Sequence, residues 1–167
     1  IRALLDYATD AAPEIAPLDV HAVLEDVARF LRPMRERARV ALTTDLAAEA
    51  REVTGDEVQI RQIFTNLFVN AIQAMKGHGG TIRLATRNVG DFVETDVVDS
   101  GSGVSDAARA QIFRPFFTTK PRGEGTGLGL STARRIAQLH GGSLELIETS
   151  PHGSVFRVRL ARRGGRS

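Results

Sequence analysis

The 167-residue sequence has no cysteine and no tryptophan, and only Lys76 and Lys120 among its 22 basic residues are lysines. The absence of cysteine excludes disulfides, thiolate nucleophiles and cysteine-ligated zinc. No apolar run approaches the roughly 18–20 residues that a bilayer-spanning helix needs. A dominant charge is also missing, since 22 basic against 20 acidic residues leave +2 with the signs interspersed. So slight an excess gives no reason to expect nucleic acid or an anionic membrane as partner. The arginines of Arg162-Arg163-Gly164-Gly165-Arg166 read as a solvated basic tail over 162–167. The chain starts at Ile1 with no basic-then-apolar signal segment behind it. The expectation is a cytoplasmic piece of a longer parent that is itself soluble or membrane-anchored.

At this length one domain with a real core is the default. Ile1, Leu4, Leu5 and Ala8 share a helical face over residues 1–11. Pro13 and Pro17 then predict an extended linker or first strand over 12–19. Asp19 is placed to cap a helix from His21 towards Arg39, which Pro33 should kink or end early. Val40–Leu46 alternates as a strand, and Glu52-Val53-Thr54 reads as a shorter one before a Gly55-Asp56 turn. Asp56 caps a long helix to about Met75. Strands are predicted at Thr81–Thr86 and Phe92–Val98, joined around Asn88 to Asp91, and at Ser143–Thr149 and Ser154–Leu160. A glycine-rich stretch precedes a helix over Leu128–Leu139, which His140-Gly141-Gly142 ends. The fold class is α+β: a two-layer α/β sandwich over 20–161, its mixed sheet covered by helices on one face.

Four local patterns bear on chemistry. Gln59, Gln62, Asn66, Asn70 and Gln73 fall within roughly 80° of one another on the long helix. No charge occurs from Gln62 to Met75, so the helix should be mostly buried. Buried carboxamides then need partners, at about 1–3 kcal/mol each if left without. Neighbouring loops would satisfy them, and so would a ligand pocket holding Mg²⁺ beside a polyphosphate. Second, Asp99-Ser100-Gly101-Ser102-Gly103-Val104 follows an apolar strand. It reads as an Asp-Gly hairpin turn, or as a carboxylate that accepts from an exocyclic amine such as adenine's. Third, Gly123-Glu124-Gly125-Thr126-Gly127-Leu128-Gly129-Leu130 opens a helix but is neither a Walker A loop nor the dinucleotide fingerprint. Free N–H groups at that helix start would suit phosphate, with Lys120 and Arg122 upstream. Fourth, Phe113, Phe116 and Phe117 crowd into five positions, as a local apolar patch or as the seat of a lid.

The ordered set is far more specific than its parts. Asn66-x-x-x-Asn70-Ala71, Asp99-x-Gly101-x-Gly103, Phe113-x-Pro115-Phe116-Phe117 and Gly125-Thr126-Gly127-Leu128-Gly129-Leu130 occur in that order. This resembles the N, first glycine, F and second glycine boxes of bacterial sensor histidine kinases, over about Val20 to Ala161. The resemblance implies the Bergerat ATP-binding sandwich with a flexible ATP lid, and ATP and Mg²⁺ as cofactors. It makes Asn70 a Mg²⁺ ligand with Asn66 beside metal and phosphates. Asp99 would read the adenine amine while Gly101, Gly103 and Val104 shape the base pocket. Phe113 to Lys120, including Thr118, would belong to the lid, and Gly125, Thr126, Gly127, Leu128, Gly129 and Leu130 would line the triphosphate. Gln73 stands where many members carry lysine, which leaves Lys120 as the better basic contact to phosphate.

In related hydrolases the residue four before the metal-binding asparagine is a glutamate that activates water. Here it is Asn66, which cannot act as a base at neutral pH. That favours a histidine kinase over an ATP hydrolase. Its rivals are a serine kinase of the anti-sigma type and a non-catalytic nucleotide-binding module. The family's phosphorylated histidine is followed by an acidic residue and soon by proline, and none of His21, His78, His140 and His152 fits. Leu4-Leu5-Asp6-Tyr7-Ala8 resembles the end of the second helix of the family's dimerising hairpin. The acceptor is therefore expected upstream, in a parent that is a homodimer, with this piece alone a monomer. The resemblance implies a response regulator as downstream partner.

Overall fold

The structure is a computed structural model that describes residues 12–119 and 129–163. Ile15–Asp19 (β1) leads into Val20–Phe30 (α1) and Arg32–Arg37 (α2), followed by Val40–Leu46 (β2) and Glu52–Asp56 (β3). Glu57–Ala74 (α3) is the long helix, followed by Gly80–Val89 (β4), Phe92–Asp99 (β5) and Asp106–Arg109 (α4). Gly129–Leu139 (α5), Ser143–Ser150 (β6) and Gly153–Ala161 (β7) complete the order.

The helix starts follow from capping. The Asp19 carboxylate accepts the His21 and Ala22 N–H groups, and that of Asp56 accepts the Gln59 N–H. The predicted break near Pro33 falls at Leu31, with the proline in the first turn of α2, where its missing N–H is harmless. At the other end of α5, the Gly142 N–H bonds Ala137 O while Gly141 takes φ 72°, a glycine stop.

Five strands form one mixed sheet in the order β2-β4-β5-β7-β6. β2 runs parallel to β4, and every other pair is antiparallel. The inward side chains Ile82, Leu84, Val93, Val97, Phe156 and Val158 form one core with Leu24, Phe64, Phe68 and Ile136 of the helices. On the opposite face Glu94 and Asp96 are paired with Arg87, Arg157 and Arg159. The two acids are buried beneath their arginines. The expected mixed sheet with one helical layer is what the chain builds. No helix among the described residues is long and apolar enough to cross a membrane.

Several expectations need correction. Gly55 and Asp56 are not a turn: they end β3, because Ile15–Asp19 pairs antiparallel with Glu52–Asp56 as a separate two-stranded sheet. β4 continues to Val89, which narrows the predicted Asn88–Asp91 junction to Gly90 and Asp91. Arg162 and Arg163 are tied to the protein, Arg162 bridging Val53 and Arg163 donating to Glu52 at 3.0 Å. The short helix α4, capped by the Ser105 hydroxyl, was not foreseen. Residues 1–11 and 164–167 lie outside the described residues.

Candidate functional site

One side of α3 organises the site. Asn66, Asn70 and Ala74 lie one above another at i, i+4 and i+8, a row of about 12 Å at 1.5 Å per residue. At one end, Asn66 Nδ2 donates to the Gly129 carbonyl at the start of α5 at 3.0 Å. At the other, Ala74 packs against Gly101, where an added Cβ would lie 2.8 Å from Ala74 Cβ and 3.0 Å from Asp99 Oδ1. The fold thus aligns the glycine-loop helix, the two asparagines and the acidic turn along a single row.

The carboxamides are not buried as expected. Gln59, Gln62, Asn66, Asn70 and Gln73 are all half-buried, while Ile60, Ile63, Leu67 and Ala71 on the other side fill the core. They line an accessible face, so their polarity needs no ligand to satisfy it. Among the described residues the Asn70 side chain takes no hydrogen bond from the protein, which leaves its oxygen available. Among the described residues no group of three or more His, Cys, Asp or Glu could hold a metal. A hard cation here would therefore rely on neutral amide oxygen plus oxygens of the ligand itself, a donor set that suits Mg²⁺ on a polyphosphate.

Asp99 ends β5 and is 5% exposed. Burial pushes its carboxyl above the usual range, opposed by hydrogen bonds from the Gly101 and Ser154 backbone N–H groups. The Gly101 N–H reaches Oδ1 at 2.9 Å. A buried acid held by two N–H groups, with no cation paired to it among the described residues, is oriented to accept from a neutral donor.

The turn after Asp99 is pressed onto the β6–β7 hairpin. Gly103 has φ 76°, and a Cβ there would overlap Ser150 O. Val104 N–H donates to Thr149 Oγ1 at 2.8 Å, and Thr149 Oγ1 lies 3.0 Å from Ser154 Oγ. The sequence reading missed Thr149 and Ser154; the Gly153-Ser154 pair opening an alternating strand was the available signal.

The phenylalanine cluster divides. Phe113 packs on the core, edge-on to Phe156 at 6.3 Å, with the Arg134 guanidinium 4.6 Å from its ring centre. Phe117 is also partly buried against the core, whereas Phe116 is 70% exposed with φ 66°. Within the expected lid, Phe113 and Phe117 are thus anchors. Thr118 is exposed, and Gly129 and Leu130 open α5. Lys120, Arg122, Gly125, Thr126, Gly127 and Leu128 lie outside the described residues. The histidines hold structural places: His21 Nε2 lies 2.8 Å from Thr86 Oγ1, and His140 Nε2 accepts the Asp56 N–H at 3.1 Å. His78 and His152 stand exposed on turns.

The C4-dicarboxylate transport sensor protein DctS of Rhodobacter capsulatus is 35% identical over 165 residues, covering 96% of this chain and 24% of DctS. The chain thus spans about a quarter of that relative's length. The solved structure of full-length ShkA in complex with AMPPNP superposes with a TM-score of 0.80 at 26% identity, covering 96% of this chain and 34% of ShkA. Histidine kinase ThkA in complex with response regulator protein TrrA gives 0.79 at 25% identity, covering 96% and 46%. A family model described as "Histidine kinase-, DNA gyrase B-, and HSP90-like ATPase" matches residues 55–164, from the end of β3 through β7, and the chain belongs to that family.

Proposed function

We propose that this domain binds Mg·ATP along the Asn66–Asn70–Ala74 row and offers the γ-phosphoryl group to a histidine on a separate helical hairpin. A neutral imidazole nitrogen attacks the γ-phosphorus in line, and the bond to the ADP oxygen breaks. The phosphohistidine then passes its group to an aspartate on a response regulator. The observation that carries this is Asp99: a buried carboxylate, oriented by the Gly101 and Ser154 N–H groups, at the end of a row of amides. Asp99 accepts from the adenine amine, and Gly101, Gly103 and Val104 shape the base pocket. Asn70, with Asn66 beside it, holds Mg²⁺, which when bound neutralises phosphate charge. Gly129 and Leu130 place a helix start near the phosphates, where backbone N–H groups favour an anion. Thr118, Lys120 and the residues Gly125 to Leu128 complete the phosphate side, and Gln73 joins the nucleotide contacts from α3.

Asn66 decides the reaction type. A carboxamide cannot take a proton from water at neutral pH, so ATP is kept for a delivered acceptor. The domain contributes positioning and charge neutralisation. On this reading residues 1–11 end the second helix of the acceptor hairpin, and ThkA's complex with a response regulator supports the downstream partner. Calorimetry and γ-labelled ATP test it. Heat with Mg·ATP, no label on the chain alone, and acid-labile label on an added histidine hairpin are expected. No heat from adenine nucleotides on folded protein, or stoichiometric acid-labile label on the chain alone, overturns it.

A further inference from the structure

The segment that leaves β5 at Asp99 must cross the base side of the site. At Asp99 it is held by strand pairing with Ser154, and at Ser100 by reciprocal bonds with Thr81. Its far end is held by a side chain: Val104 N–H donates to Thr149 Oγ1 at 2.8 Å. The same hydroxyl meets Ser154 Oγ at 3.0 Å, and Ser154 in turn offers its backbone N–H to the Asp99 carboxylate. Gly103, between these anchors, sits so tightly on Ser150 that no Cβ fits. Thr149 therefore touches both the turn that flanks Asp99 and the residue that orients Asp99.

We propose that Thr149 is a positioning residue for base recognition, its hydroxyl fixing the Gly101–Val104 turn and Ser154 relative to each other. The inference rests on the nucleotide reading above. A hydroxyl is needed because one atom must accept the Val104 N–H and also bond Ser154 Oγ; a methyl group of equal size does neither. If Thr149 merely braced the hairpin, its loss would lower stability and weaken all nucleotides alike. If it positions the base site, its loss narrows discrimination between bases, because a shifted turn no longer sets the group that meets the base edge.

The experiment is calorimetric titration of the chain, wild type and variants, with Mg·ATP and Mg·GTP, beside thermal melting. Thr149→Val should weaken Mg·ATP binding about tenfold and shrink the ATP-over-GTP preference by a similar factor. Thr149→Ser should stay within about twofold of wild type on both measures. An unchanged preference in Thr149→Val, or an equal loss in Thr149→Ser, overturns the inference while leaving nucleotide binding intact. Wild-type protein that gives no heat overturns the nucleotide reading itself and this inference with it. Should the valine variant not fold, Thr149→Cys decides by the same readout, since a thiol is a weak acceptor.

Discussion

Asn66 and Gly129, 63 positions apart, are joined by a hydrogen bond from the side-chain Nδ2 to the backbone carbonyl at 3.0 Å. The bond fastens the start of α5 to the middle of α3 and uses the donor end of the amide. Among the described residues nothing donates to its oxygen end. A carboxylate at the same position would set an anionic oxygen against the Gly129 carbonyl, so the bond itself favours asparagine over the glutamate or aspartate that hydrolysis would need.

Asn66→Asp should therefore destabilise the domain more than Asn66→Ala. The alanine loses one half-exposed hydrogen bond, about 0.5–1.5 kcal/mol. The aspartate adds repulsion to that loss. At about 2–4 °C per kcal/mol for a domain of this size, the order wild type, alanine, aspartate should be resolved in melting temperature. Differential scanning calorimetry at neutral pH checks it, and an aspartate variant as stable as wild type would contradict the bond.

Asp99→Asn separates binding from stability. On the proposed reading Asp99 makes a charge-assisted hydrogen bond to the base amine; losing about 1.5–3 kcal/mol with it should lower Mg·ATP affinity roughly 10- to 150-fold. The folded domain, by contrast, should lose nothing at neutral pH. Burial already penalises the ionised Asp99, which offsets any loss of the Ser154 N–H bond, and an amide oxygen can still accept the Gly101 N–H. Titration calorimetry and melting on the same sample should diverge, affinity falling while the melting temperature holds or rises; unchanged affinity would mean the base is read elsewhere.

Much of this was legible because its causes are local. Asp19 and Asp56 cap helices through their own neighbours' N–H groups, and the alternation of Phe156-Arg157-Val158-Arg159-Leu160 states which side faces the core. The illegible parts are non-local. Gly55 reads as a turn until β1 is known to pair with β3, and the half-exposure of Asn70 depends on what packs over α3. Glu94 and Asp96 look like ordinary outward residues; only the β4-β5-β7 register brings Arg87, Arg157 and Arg159 onto them. Ser154 lies beside Asp99 through the same pairing of β5 with β7, and Thr149 through the pairing of β6 with β7. Helix α4, at four residues, is too short to carry a periodic signal.

Asp96 and Asp99 should give opposite pH signatures. Burial alone would raise the Asp96 carboxyl, but Arg157 and Arg87 outweigh it and hold it below the usual range. Its stabilisation is present above the ordinary aspartate pKa and is lost as pH falls through the lowered folded value. Asp99 is raised by burial, so its penalty grows as pH climbs from the ordinary value through the raised one. Asp96→Asn should cost about 1–3 kcal/mol at neutral pH, a deficit that closes only below the ordinary carboxylate range. Any advantage of Asp99→Asn should fade earlier, as pH drops through the raised value. Urea unfolding across a pH series distinguishes the two, and parallel curves would refute the assignment.

Gly55→Ala tests the joint at the head of α3. Gly55 lies in β3 without a left-handed φ, so an alanine is conformationally permitted there and only space opposes it. Its Cβ would lie 2.6 Å from His140 Cδ2 and equally tight on Ile60 Cδ1. His140 spans α5 and β3, its Nδ1 at 2.8 Å from Ile136 O and its Nε2 accepting the Asp56 N–H. With Nδ1 as donor and Nε2 as acceptor, the ring cannot tilt without breaking one bond. Overpacking here should cost about 1–3 kcal/mol. The strain falls on the first turn of α3 and the last of α5, the two helices that the Asn66–Gly129 bond also joins. Mg·ATP affinity should therefore fall along with the melting temperature, whereas an alanine at Gly90, strained by the left-handed φ of 57° but with nothing within 4 Å of its added Cβ, should lower the melting temperature alone and leave affinity as it was.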